Sequence, residues 1–246
     1  MTYIKDTLGD LQCAIRVASD TGLQGAGGVF KERFKQLMQQ GQYAQAARLA
    51  AEAPGGSLRT AETIQALQRA PFNGQGPPPD LQYYQFLLKK VSLNELESLG
   101  LCQRILNTQQ IQPAQAKQRI EQFLKEKKLT GSEKLGDLLA PHDAKLALLV
   151  YTTAKVPQKV ALCLIQLGQS DKIVPYAKSV NWTPQWPELL AHVQQMRRDD
   201  VKNFAQHLVS QSYLSAEEVV NILLGDGRND VEKTTQFLLR LFTITW

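Results

Sequence analysis

Apolar positions along this 246-residue chain recur at helical spacing. Phe30, Phe34, Leu37 and Met38 follow i, i+4, i+7 and i+8, which is one face of a helix. Gly41 breaks that pattern. Tyr43, Ala46, Ala47 and Ala50 restart it and stop before Pro54-Gly55-Gly56. Alanines on the second face allow close approach, so the pair predicts a helix hairpin with a very short turn. Thr60 then precedes Ile64 and Leu67, and Asp80 precedes Leu81, Tyr84, Leu87 and Leu88. Ser92-Leu93-Asn94-Glu95 reads as a capping box, with the Ser hydroxyl accepting from the Glu95 amide. Thr130-Gly131-Ser132-Glu133 and Ser215-Ala216-Glu217-Glu218 repeat that logic. Pro113, Pro157 and Pro184 suit a first helical turn, and Gly168 suits a left-handed helix end.

These signals place helix starts near residues 29, 42, 60, 81, 93, 113, 132, 143, 157, 170, 183, 200, 215 and 230. Helices so short cannot each bury a face alone and must lean on their neighbours. The expected fold is all-α: an α-solenoid or helical zigzag of short antiparallel helix pairs. The repeat is structural, since neither the tetratricopeptide nor the ankyrin signature occurs. Pro71 to Pro79 interrupts the series as a proline-rich surface connector with polyproline II character.

Composition narrows the function classes. Hydrophobic residues make up 43% and charged residues 21%, enough for a real core. No window holds 18 consecutive apolar residues, so no direct membrane insertion is expected. The N-terminus lacks the basic start and apolar core of a signal peptide. The net charge of +5 is mild and spread along the chain, which argues against a nucleic-acid partner. Cys13, Cys102 and Cys163 form no CxxC pair, in keeping with a reducing cytosol and no zinc site.

Candidate chemistry is sparse. His142, His192 and His207 lack metal-ligand spacing, and Cys102 and Cys163 lie on apolar helical faces as small hydrophobes. Gly25-Ala26-Gly27-Gly28 has no preceding strand and no following Lys-Ser/Thr, so it does not read as a phosphate loop. Gly225 to Asp230 lacks the sixth-position Gly and twelfth-position Glu of a calcium loop. Trp182, Trp186 and Trp246 are too scattered for a base-stacking platform. The expectation is no enzyme, with no catalytic, cofactor-binding or metal residue. One surface is singled out. A capped helix over Leu93 to Leu106 lies beside the basic helix end Lys125-Glu126-Lys127-Lys128. Leu93, Leu96, Glu97, Lys125 and Lys127 are therefore the candidate groove for an amphipathic partner helix carrying acidic residues.

Several segments resemble the clathrin heavy chain family in collinear order. They include Phe34-Lys35-Gln36-Leu37, Gly41-Gln42-Tyr43, Leu58-Arg59-Thr60, Leu93-Asn94 with Glu97-Ser98-Leu99, and Leu135-Gly136-Asp137-Leu138. Val156-Pro157, Lys172-Ile173-Val174, Tyr176-Ala177-Lys178, Thr183-Pro184 with Trp186, and Phe237-Leu238-Leu239 continue the series. Val219 to Leu239 also resembles the last two helices of a ubiquitin-associated domain, but Gln211-Ser212-Tyr213 matches its preceding loop poorly.

The clathrin resemblance implies a distal helical linker over 1–79, the end of the linker and start of the leg over 80–140, and a partial leg repeat over 141–246. It implies a divergent member: 107–115 looks longer than the family pattern and 203–215 compressed. It covers no propeller, light-chain-binding segment or hub, so the chain reads as a piece of a longer protein. The implied function is a structural coat segment, part of a triskelion leg in the lattice of coated pits and vesicles. The implied partners are other heavy chains through leg–leg contacts and adaptor or accessory proteins. The implied location is the cytoplasmic face of coated pits and vesicles, with the fragment itself monomeric. The alternative is another α-solenoid scaffold or vesicle-tethering subunit.

Overall fold

A computed structural model describes residues 27–72, 76–108 and 112–224. Among these residues there is no strand, and the regular structure is thirteen α-helices and three short 3-10 turns. Thirteen of the fourteen expected helix starts fall within three residues of an observed one. The fourteenth, near 230, lies outside the described residues, as do Gly225 to Asp230 and the family-like Phe237-Leu238-Leu239. The chain divides into two compact units, residues 1–130 and 131–246.

The first unit holds α1 (Gly27–Gln39), α2 (Tyr43–Glu52), α3 (Ala61–Arg69), α4 (Pro79–Lys90), α5 (Glu95–Asn107) and α6 (Pro113–Lys125). Phe30, Phe34 and Leu37 of α1 are buried, as their spacing requires. Ala46, Ala47 and Ala50 are fully buried, and this small-residue face lets α2 lie against both α1 and α4. Tyr83, Tyr84 and Leu87 fill the inner side of α4, which meets α2, α3 and α5. The last helix, α6, packs on α5.

The second unit holds α7 (Glu133–Leu139), α8 (Ala144–Thr153), α9 (Pro157–Gln166), α10 (Ile173–Ser179), α11 (Trp186–Met196), α12 (Val201–Ser210) and α13 (Ala216–Leu224). Here α8 joins α7 to α9, and α11 lies against α9, α12 and α13. Leu190, Val193, Ile165 and Phe204 are among its buried side chains. Trp186 packs on Tyr213 with ring centroids 4.6 Å apart. Cys102 and Cys163 are buried free thiols, the first pushed up to about 12 by burial, so neither is poised as a nucleophile.

Four local expectations shift. The N-cap of α5 is Asn94 rather than Ser92. Its capping box pairs with Glu97, because Leu93 is drawn fully inside and the chain turns two residues later. The cap of α7 is Ser132, whose hydroxyl accepts from the Leu135 amide, while Thr130 ties back to the first unit's own loop. Asp80 is the second residue of α4 rather than its cap, and it is buried. Pro184 precedes α11, and Pro187 takes the first-turn position instead. Thr60, Pro113, Pro157, Gly168 and Ser215 stand where their chemistry suggests.

Candidate interaction surface

Among the described residues of the first unit, the best-connected polar cluster centres on Glu97, in the first turn of α5 and fully buried. Four donors converge on its carboxylate. Arg59 Nε donates to Oε1 at 2.8 Å and Arg59 Nη2 donates to Oε2. Tyr83 OH donates to Oε1 at 2.7 Å, and the Asn94 amide donates to Oε2 at 2.9 Å. Burial pushes this carboxyl up, but the bonds from Arg59, Asn94 and Tyr83 outweigh it and hold it below the usual carboxylate range. One acidic side chain thus links the segment before α3 and the inner face of α4 to the start of α5.

The corner between α4 and α5 is closed by the turn that follows α6. The Leu93 amide donates to the Lys128 carbonyl at 2.8 Å. Thr130 Oγ1 donates to the Leu93 carbonyl at 2.6 Å, and the Thr130 amide donates to Ser98 Oγ at 2.9 Å. A second buried carboxylate, Asp80, faces Arg104 at 3.1 Å across α4 and α5. Burial raises its carboxyl despite the pull of Arg104. In the second unit a more exposed carboxylate plays a similar part. Asp137 of α7 accepts from Tyr151 OH of α8 at 2.6 Å and from Lys159 Nζ of α9 at 2.7 Å.

The five residues expected to line a partner groove separate by depth. Leu93 and Glu97 are fully buried inside the corner. Leu96 is 51% exposed, on the outer side of α5. Lys125 is at the surface and bound to Glu121 at 2.7 Å. Lys127 is exposed, with a left-handed backbone (φ 54°) just past α6. Arg59 and Tyr83 were not legible as partners of Glu97. They lie 38 and 14 residues away in sequence, and the only local signal was an acidic residue in the first turn of a capped helix.

Two open hollows occur elsewhere. One of about 310 Å³ is lined by Leu162, Trp182, Pro184, Leu189 and His192. The other, about 380 Å³, is lined by Tyr43, Phe72, Pro77 and Gln82. Neither carries a buried titratable side chain. Among the described residues no group of three or more His, Cys, Asp or Glu could hold a metal ion. No described helix is long and apolar enough to cross a membrane.

A family model described as Clathrin-H-link matches residues 22–87, which run from before α1 into α4. The chain is 39% identical over 241 residues to clathrin heavy chain 2 of Homo sapiens. It is 38% identical over 243 residues to the clathrin heavy chain of Dictyostelium discoideum. Both matches cover 97% of this chain and 14% of the relative. A plant relative, clathrin heavy chain 1 of Arabidopsis thaliana, is 34% identical over 241 residues. The chain therefore spans about one-seventh of the length of the curated relatives it matches.

Proposed function

The chain is a relative of the clathrin heavy chains along almost its whole length, and from that premise we propose that it is a segment of a structural coat protein. In this reading residues 1–79 are distal helical linker, 80–140 the end of the linker and start of the leg, and 141–246 part of a leg repeat. Its partners are other heavy-chain legs, which it meets side by side, and adaptor or accessory proteins. Its place is the cytoplasmic face of coated pits and vesicles. The single observation that carries the proposal is the similarity over 97% of the chain.

The packing supports a mechanical part. Each described helix leans chiefly on helices close to it in sequence. Stacks built that way bend by small rotations at each step. Buried or bridged carboxylates limit that freedom where they bind two or three helices at once, as Glu97 and Asp137 do. Weak contacts between legs add up once several are linked, so no single contact need be strong. Such a role asks no bond-making chemistry of the chain.

A chimaera tests the proposal: a clathrin heavy chain whose corresponding segment is replaced by residues 1–246. Electron microscopy of the purified chimaera should show coats with closed lattices. Chimaeric chains that trimerise but form no coat would overturn it.

A further inference from the structure

We propose that the solvent side of the α4–α5 corner docks an acidic, apolar-anchored helix of a partner protein. The inference stands apart from the coat reading and uses only the corner itself. Two aliphatic side chains flank the buried Leu93: Val91, 40% exposed, and Leu96, 51% exposed. They are two of the few large apolar residues that the described structure leaves at the surface. The Leu93–Lys128 backbone bond brings the turn after α6 against this corner. Lys127 and Lys128 therefore stand beside it.

That turn is held in place. The Lys127 amide donates to the Leu124 carbonyl and the Lys128 amide to the Phe123 carbonyl. Two nearby cations are engaged: Lys90 pairs with Glu52 at 2.9 Å and Lys125 with Glu121. Lys127 and Lys128 have no ion-pair partner among the described residues. Charge across the chain points the same way. Residues 1–130 carry 16 Lys and Arg against 11 Asp and Glu, whereas 131–246 carry 12 of each. The whole surplus of +5 therefore belongs to the unit that holds this corner.

The chemistry selects the occupant. Free ammonium groups beside two aliphatic side chains favour carboxylates next to bulky apolar residues, as on one edge of an amphipathic helix. Glu95, exposed beside Leu96, repels a carboxylate at that end. The partner's apolar residues therefore sit over Val91 and Leu96, and its acidic edge meets Lys127 and Lys128. A bare polyanion lacks the apolar half of this match.

The test uses the full chain and a short fluorescent helical peptide with Leu on one face and Glu on the other. Two controls replace every Glu by Lys or every Leu by Ser. Fluorescence polarisation should show binding of the first peptide only. Leu96→Ser should weaken it about tenfold, and so should Lys127→Glu with Lys128→Glu. Leu96 and Lys127 are exposed and Lys128 is half-buried, and unchanged circular dichroism melting confirms that the fold is intact. If either variant melts early, Val91→Ser provides the same reading at a second site. Equal binding of the Leu-to-Ser peptide, indifference to Leu96→Ser and Val91→Ser, or no binding at all would each overturn the proposal.

Discussion

The carboxylate of Glu97 is taken fully out of water and given four hydrogen bonds in exchange, two from one guanidinium. Removing one partner of a buried pair leaves the other charge stranded, which is where the large energetic cost lies. Arg59 keeps 21% of its side chain exposed, so water recovers part of that cost. Glu97→Gln should therefore lower stability near neutral pH by about 2 kcal/mol. The sign of the pH dependence follows from the direction of the shift. Glu97 in the fold titrates below the ordinary value of 4.5. Its ionic contribution is present above that value and is lost as pH falls through the lower folded one. Asp80 is shifted the other way by burial, so its contribution is present at low pH and is lost as pH rises through its folded value. Urea titrations of parent and Glu97→Gln protein should show a gap that narrows below pH 4.5. A gap independent of pH would mean that ionisation of Glu97 is not what stabilises the corner.

Helix ends follow one recurring device. Past α1, α6, α8, α9, α10 and α12 the chain turns through a single left-handed residue: Gly41, Lys127, Lys155, Gly168, Asn181 and Ser212. In each case that residue's amide bonds back to the carbonyl three before it. The next amide bonds to the carbonyl five before it, as Gln169 does to Leu164 and Val156 to Tyr151. This is the Schellman pattern, which satisfies the last free carbonyls of a helix. Glycine enters the left-handed region without a Cβ clash, whereas other residues pay about 1 kcal/mol or more. Lys155→Gly should therefore stabilise the chain by about 0.5 kcal/mol, after the added freedom of the unfolded chain is subtracted. Gly168→Ala should destabilise it by about 1 kcal/mol, because alanine would have to hold the left-handed φ of 68° that glycine adopts freely. Thermal melts of the two variants should move in opposite directions, and a shared direction would remove backbone strain as the cause. The glycine endings were legible in sequence. The Lys and Ser endings were not, because nothing in those residue types announces a left-handed turn; Asn181 carries a weaker signal, since asparagine enters that region more readily than other residues with a Cβ.

At the scale of the whole chain, each of the two units has its own buried set, with Tyr83, Tyr84 and Leu93 in the first and Ile165, Leu190 and Phe204 in the second. Local opening follows such cores. Hydrogen exchange on Glu97→Gln protein should rise across α3 to α5 while α8 to α11 keep the parent rate. A uniform rise across both units would show that the chain opens as one. Sequence determined the all-α class and almost every described helix start, down to Thr60 before α3 and Pro113 at the head of α6. Those signals act over a few residues, through apolar spacing of three or four and through caps within one turn. It also carried the collinear likeness that leads to the coat reading. Tertiary structure alone decided that Glu97 turns inward to Arg59 and Tyr83, that Leu93 is buried while Leu96 stays at the surface, and that Lys128 lies against the corner. Those pairings join residues 14 to 38 positions apart, and only the packing of whole helices brings them within hydrogen-bonding reach.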